Sequence, residues 1–94
     1  MAYIGVLDDL GYQQLAVDTA QSPTIPDGTA LILIQPQTQD VRWRSDGTAP
    51  TATVGYPLAV GSELRYDSKS MAKLQFIAQT AGGVLNINYF GKKF

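Results

Sequence analysis

Apolar and polar residues alternate along several short stretches of this chain, with the period of two that is typical of a half-buried β-strand. The clearest case is the segment 84–90, in which Leu85, Ile87 and Tyr89 share one face and two asparagines occupy the other. Four other stretches show the same period: 12–17, 41–44, 63–66 and 73–79. We therefore expect five strands that each turn one face towards a core.

Two further segments differ from this simple alternation. The segment 30–34 is apolar on both faces, which predicts a central strand that is covered on each side, or buried at an interface on one. The segment 51–58 is interrupted by Gly55 and Pro57, which favours a strand at the edge of a sheet. Both segments are bounded by turns that contain glycine or proline.

Helical signals are confined to one short stretch, where the polar run 67–70 is placed to cap a single turn through Met71 and Ala72. The sequence therefore predicts an all-β fold, a small antiparallel β-sandwich or barrel of about six to eight short strands. The 94 residues fit one domain, residues 1–94. Apolar residues near both ends favour docking arms at residues 1–10 and 91–94.

Charge and composition exclude several classes of partner. Seven basic residues stand against eight acidic ones, so there is no clustered positive charge for binding nucleic acid. The longest apolar run is too short to span a bilayer, and residues 1–10 do not resemble a signal peptide. We therefore predict a protein made in the cytoplasm, with neither nucleic acid nor a membrane among its partners.

The chain lacks the residues on which most enzymes depend. It contains no cysteine and no histidine, so the commonest nucleophile and the commonest acid–base group are missing. Ser68 and Lys69 could in principle supply serine–lysine chemistry, but a polar turn explains them fully. We predict no catalytic residue, no cofactor and no metal ion.

Calcium binding is the alternative that the carboxylates leave open. Asp8 with Asp9, or Asp46 with Thr48, would provide oxygen ligands for such an ion. No loop repeats the spacing of a known calcium site, however.

Two arginines flank the single tryptophan in the segment 41–44. Arg42 and Arg44 could meet carboxylates of a partner in bidentate pairs, or they could lie on a solvated outer face of a strand. Both interpretations stay open on the sequence alone. Trp43 alternates in phase with Val41, which favours a place in the core over a role as a sugar-stacking platform.

The segments 30–35 and 41–55 resemble small virion-associated structural proteins of tailed bacteriophages. The most specific part runs from Val41 through Arg42-Trp43-Arg44 and Asp46-Gly47 to Pro50-Thr51, and the likeness continues in order and spacing over about residues 12 to 90. The resemblance implies a capsid decoration (cement) protein of the virion. It implies as partners the major capsid protein or other virion proteins, and a homo-oligomer, with a trimer favoured. The residues that would form the partner-binding rim are Arg42, Arg44, Asp46, Thr48 and Thr51.

Two other functions fit the same observations. One is a head–tail connector, neck or tail accessory protein of the virion. The other is a carbohydrate-binding module for attachment to the host, which would use Trp43 or exposed tyrosines to stack on sugar rings.

Overall fold

A computed structural model describes residues 7 to 91 of the chain. These residues form seven β-strands and one short 3₁₀ turn, and they contain no α-helix. The strands are β1 Asp8–Ala16, β2 Thr29–Pro36, β3 Val41–Arg44, β4 Tyr56–Leu58, β5 Leu64–Tyr66, β6 Gln75–Ala78 and β7 Val84–Gly91, and the turn is Lys69–Lys73. The predicted all-β class is confirmed. Two antiparallel sheets form a small β-sandwich and not a closed barrel.

The four-stranded sheet has the order β1-β7-β2-β5, and the three-stranded sheet has the order β4-β3-β6. β7 is an inner strand of the larger sheet, because it pairs antiparallel with β1 on one side and with β2 on the other. The chain that follows β1 crosses to β6 of the second sheet, where the carbonyl oxygen of Val17 accepts from the N–H of Ala78 and Gln21 exchanges two backbone hydrogen bonds with Phe76. This crossing ties the two sheets together at one end of the sandwich.

The core is formed by the inward faces that the alternation predicted. In β7, Leu85, Ile87 and Tyr89 are buried, whereas Asn86 and Asn88 point to the other side. The complete set of buried hydrophobic residues in the described chain is Val17, Ile32, Ile34, Val41, Leu58, Leu74, Phe76, Ala78, Leu85, Ile87 and Tyr89. Burial of such side chains contributes roughly 1.5–3 kcal/mol each before the entropic cost of ordering them.

The first strand begins earlier than the alternation indicated. We expected a strand from Tyr12, but β1 starts at Asp8 and continues through a bulge between Asp9 and Gly11. Gly11 adopts φ +142°, and its N–H donates to a side-chain oxygen of Asp9 at 2.9 Å. Glycine, which carries no Cβ, tolerates this backbone conformation.

The predicted docking arms fall only in part within the described residues. Residues 8–10 of the first arm belong to β1, and Gly91 of the second arm ends β7. The stretches 1–6 and 92–94 lie outside the described residues, so the arms stay a prediction.

The single helical turn is confirmed as a 3₁₀ turn. The side chain of Ser68 caps it by accepting a hydrogen bond from the N–H of Ser70 at 3.1 Å. The turn ends at Lys73, after which the chain becomes extended and enters β6.

Tyr89 places a phenol inside the sandwich. Its side chain is 2% exposed, and its hydroxyl donates to the side-chain oxygen of Gln13 at 2.6 Å. The same oxygen also accepts from the backbone N–H of Thr24 at 3.1 Å. Burial raises the pKa of Tyr89 to about 12, because the charged phenolate would lose its hydration.

This burial predicts an alkaline loss of stability. The unfolded phenol loses its proton near pH 10, whereas the folded one keeps it to about pH 12. Unfolding therefore releases a proton in this window, and stability should fall by up to about 3 kcal/mol as pH rises through it. Denaturant titrations at pH 8, 10 and 12 should show a smaller alkaline loss for Tyr89→Phe than for the wild type. A Tyr12→Phe variant, altered at an exposed tyrosine, should keep the full loss; equal losses in all three proteins would contradict the assignment.

Candidate interaction site

The five residues of the predicted rim lie on β3 and on the loop between β3 and β4. Arg42 and Arg44 are on the face of β3 away from the core, and Asp46, Thr48 and Thr51 follow in the loop. The structure brings them together as two groups. Arg44, Asp46 and Thr48 form one group, and Arg42 and Thr51 act on the later part of the loop.

Arg44 and Asp46 form an ion pair at the start of the loop. Both Nε and Nη2 of Arg44 donate to the carboxylate, with the Nε to Oδ1 distance at 3.1 Å. The N–H of Thr48 donates to the same Oδ1 at 3.2 Å. The hydrogen bonds from Arg44 and then from Thr48 lower the pKa of Asp46, and the bond to Asp46 raises the pKa of Arg44. The pair therefore stays charged at neutral pH, and because it is exposed it contributes little to stability.

Arg42 has a different role, because its half-buried side chain binds the backbone of the loop. Its Nε donates to the carbonyl oxygen of Ala52 at 3.2 Å, and its Nη1 donates to the carbonyl oxygen of Gly55 at 2.8 Å. Within the chain, the two arginines thus make different contacts, and their binding to a partner stays a prediction. Arg44 pairs with a carboxylate of its own loop, and Arg42 satisfies backbone groups that the loop would otherwise leave to water.

Thr51 closes a tight turn in the same loop. Its backbone N–H and carbonyl oxygen exchange hydrogen bonds with Val54, at 2.9 and 3.3 Å, and its Oγ1 accepts from the N–H of Val54 at 3.0 Å. The prediction of a strand over 51–58 is therefore wrong for residues 51–55, and only Tyr56–Leu58 form β4. Backbone groups that would join a sheet are used within this turn and by Arg42 instead.

Gly55 allows the loop to approach β3 closely. It adopts φ +135°, and a Cβ at this position would lie 3.1 Å from the carbonyl oxygen of Trp43 and 3.2 Å from the Cβ of Pro50, which is buried. Any other residue would strain the backbone here and crowd both neighbours. The loop is therefore packed against the sheet, and not merely connected to it.

The side chain of Trp43 is partly buried and packs against the core, as the alternation predicted. The ring of Tyr56 is tilted against it with centroids 5.0 Å apart, and the ring of Tyr66 meets it edge-on at 5.9 Å. Such aromatic pairs contribute about 0.5–1.5 kcal/mol beyond the area that they bury. The indole therefore packs between the core and the ring of Tyr56, the first residue of β4, and the ring that faces solvent is that of Tyr56, which is 66% exposed.

The result is a rigid edge with exposed apolar groups beside an ion pair. Tyr56, Arg44 and Asp46 line a shallow hollow of about 360 Å³. Val54, which is 51% exposed, lies two residues before Tyr56. We refer to Arg44, Asp46, Val54 and Tyr56 as the loop edge.

A second surface escaped the sequence analysis. On the outer face of the four-stranded sheet, Gln14 of β1 pairs with Asn86 of β7, and Asn86 pairs with Gln35 of β2. The next row begins with Tyr12, which pairs with Asn88. We call this surface the amide face. The asparagines of β7 were visible as a polar face, but their partners depend on the pairing of three strands that are distant in sequence.

The two ends of this outer face differ in polarity. Beyond the amides, Leu7, Leu31, Leu33 and Phe90 line a hollow of about 200 Å³ together with Arg65. Ile32 and Ile34 are buried in the core, whereas Leu31 and Leu33 are half-buried on the outer side. The segment 30–34 is therefore buried on its core face and only half-buried on its outer face. Burial of that outer face at an interface, the second arrangement that we expected, stays a prediction.

Searches of protein-family models, curated proteins and solved structures found no match to this chain. Within residues 7–91, no three histidine, cysteine or acidic side chains come close enough to hold a metal ion. No helix in that part of the chain is long and apolar enough to cross a membrane.

The two arginines predict contrasting variants. Arg42→Ala removes both hydrogen bonds to the loop carbonyls, so it should lower the free energy of unfolding by about 1–2 kcal/mol and speed amide exchange at residues 52–55. Arg44→Ala removes an exposed pair, and it should change stability much less and leave exchange at 52–55 as it was. Chemical denaturation and hydrogen–deuterium exchange measure both effects. Equal effects of the two variants would show that Arg42 does not hold the loop.

Proposed function

We propose that this protein is a non-catalytic structural protein that binds another protein through its loop edge. We further propose that the partner is the head of a tailed bacteriophage, which the protein decorates as a cement protein. The observation that carries the first step is the loop itself. The loop and the first residue of β4 present an aliphatic and an aromatic side chain beside an ion pair, and Arg42 holds the loop backbone by two hydrogen bonds.

The composition of the loop edge suits a protein contact. Tyrosine and arginine are enriched among the residues that contribute most to binding, and such residues cluster where water is excluded around them. Tyr56 offers a ring that packs against Trp43 on one side, and this contact reduces the side-chain freedom that binding would remove. Arg44 and Asp46 supply one charge of each sign, which can give the contact orientation and specificity.

The rigidity of the loop also supports this proposal. Ordering a free loop on binding lowers affinity, because each immobilised side chain and backbone segment loses entropy. Arg42, Thr51 and Gly55 remove most of that freedom before any partner arrives. Binding through this loop would therefore lose less entropy than binding through a free loop of the same exposed area.

The choice of a phage head rests on the sequence resemblance. The most specific part of that resemblance, residues 41–51, forms β3 and the first half of the loop. On this proposal the rim residues Thr48 and Thr51 border the contact, and the major capsid protein is the partner. The protein would act in the virion as a homo-oligomer, for which we favour a trimer.

A connector, neck or tail accessory protein is the alternative position in the same particle. Its copy number would be that of a single ring, whereas a decoration protein covers the whole head. Quantitative mass spectrometry of purified virions distinguishes the two positions.

Binding to undecorated heads tests the proposal. The wild-type protein should bind saturably and stoichiometrically, and Tyr56→Ala should weaken binding by about tenfold or more, as expected for a central aromatic contact. Tyr12→Ala is the matched control, because Tyr12 is similarly exposed, at 59% against 66%, but lies on the other sheet. Sedimentation of heads with labelled protein measures the bound fraction. The absence of binding at micromolar concentration, or an equal loss in both variants, would rule the proposal out.

A further inference from the structure

The amide face contains a hollow that the proposed contact at the loop edge does not use. It has a volume of about 170 Å³, which corresponds to roughly five or six water molecules, or about one sugar ring. It lies on the outside of the larger sheet, between β1 at one edge and the start of β5 at the other. The side chains around it are Tyr12, Leu33, Gln35, Glu63, Asn86 and Asn88.

The spacing of these side chains is set by the sheet. Asn86 and Gln35 are direct cross-strand partners, as are Asn88 and Leu33. Neighbouring strands lie about 4.8 Å apart, and residues two positions apart on one strand are about 6.8 Å apart. The hollow is therefore bordered by polar groups at regular distances on a rigid support, the arrangement that favours precise binding sites.

The asparagines offer hydrogen-bonding groups of opposite kind. The side-chain oxygen of Asn86 accepts from the hydroxyl of Tyr12 and from Nε2 of Gln14, so its amide N–H groups are the ones left for a ligand. Nδ2 of Asn88 donates to Asp9 at 2.9 Å, so its oxygen is left as an acceptor. A donor and an acceptor thus stand two residues apart on β7.

Tyr12 gives the hollow an apolar wall. Its ring is 59% exposed, and its hydroxyl donates to the side-chain oxygen of Asn86, so the ring is held in one position over the sheet. The side chain of Leu33 adds a second apolar contact at the base of the hollow.

We propose that this hollow binds a neutral oligosaccharide. Sugar hydroxyls donate and accept hydrogen bonds at once, which matches a site that mixes amide N–H groups with amide and carboxylate oxygens. The C–H face of a sugar ring is apolar and can pack on the ring of Tyr12. This inference concerns a different sheet from the loop edge, and it does not depend on the proposed function.

The charges around the hollow favour a neutral ligand over an anionic one. Glu63 contributes a carboxylate to the lining and would repel a phosphate or an acidic sugar. Arg65 lines the apolar hollow at the other end of the face instead. An extended peptide is a poorer match, because side-chain amides on a sheet face do not repeat the backbone pattern by which strands are recognised.

A nuclear magnetic resonance titration tests the site directly. ¹⁵N-labelled protein would be titrated with a panel of neutral oligosaccharides, namely α- and β-linked glucans, mannans and galactans. We expect at least one of them to shift the side-chain amide signals of Asn86 and Asn88 saturably. Binding by Tyr12→Ala should be at least tenfold weaker, and Tyr12→Phe, which keeps the ring, should lose less.

Tyr56→Ala is the matched control and should bind the same oligosaccharide as the wild type does. Thermal unfolding and the amide spectrum of each variant show whether it is folded. The proposal is overturned if no oligosaccharide binds at about 10 mM, or if Tyr12→Ala binds unchanged. It is equally overturned if Tyr12→Ala instead changes the mass of the protein in sedimentation, because the face would then be a protein contact. Head binding is measured separately, so failure of one proposal leaves the other distinguishable.

Discussion

The pairing of β7 with both β1 and β2 is the constraint on which this structure depends. Along β7, Leu85 and Ile87 alternate with Asn86 and Asn88. A shift of one residue in its pairing would move both asparagines into the core and both aliphatic side chains into solvent, so one register is strongly preferred. Because the strand has a neighbour on each side, its register also sets the positions of β1 and β2. The core and the amide face are therefore two results of the same pairing.

The sequence was informative where burial alone determines the structure. In β3, β6 and β7 the apolar positions that alternate are the ones that pack inside, since an exposed apolar stripe would forgo its burial. It was less informative where a single local feature overrides the pattern. The bulge at Gly11 interrupts the alternation in the first half of β1, and the turn at Thr51 replaces the first five residues of the strand that the pattern predicted over 51–58.

The two candidate surfaces differ in how far they could be predicted. The loop edge is nearly contiguous in sequence, and two of its residues, Arg44 and Asp46, belong to the predicted rim, whereas Val54 and Tyr56 were not predicted to take part. The role of Arg42 could not be predicted. It binds two backbone carbonyl groups, and because every residue has such a group, the sequence does not show which of them an arginine will bind. The amide face could not be predicted at all, since Gln14, Gln35 and Asn86 become neighbours only once three strands have paired.

The position of β7 also has a consequence for the order of folding during synthesis. Among the strands that the structure describes, the one translated last lies inside the larger sheet, between the first two. While the ribosome is still adding residues before Val84, β1 and β2 have no strand between them, and the four-stranded sheet cannot form. The pairing of Asp8 with Gly91 then closes nearly the whole described chain into one loop, a slow step that local contacts cannot replace. This protein must therefore complete its larger sheet after translation of β7, in a single late step.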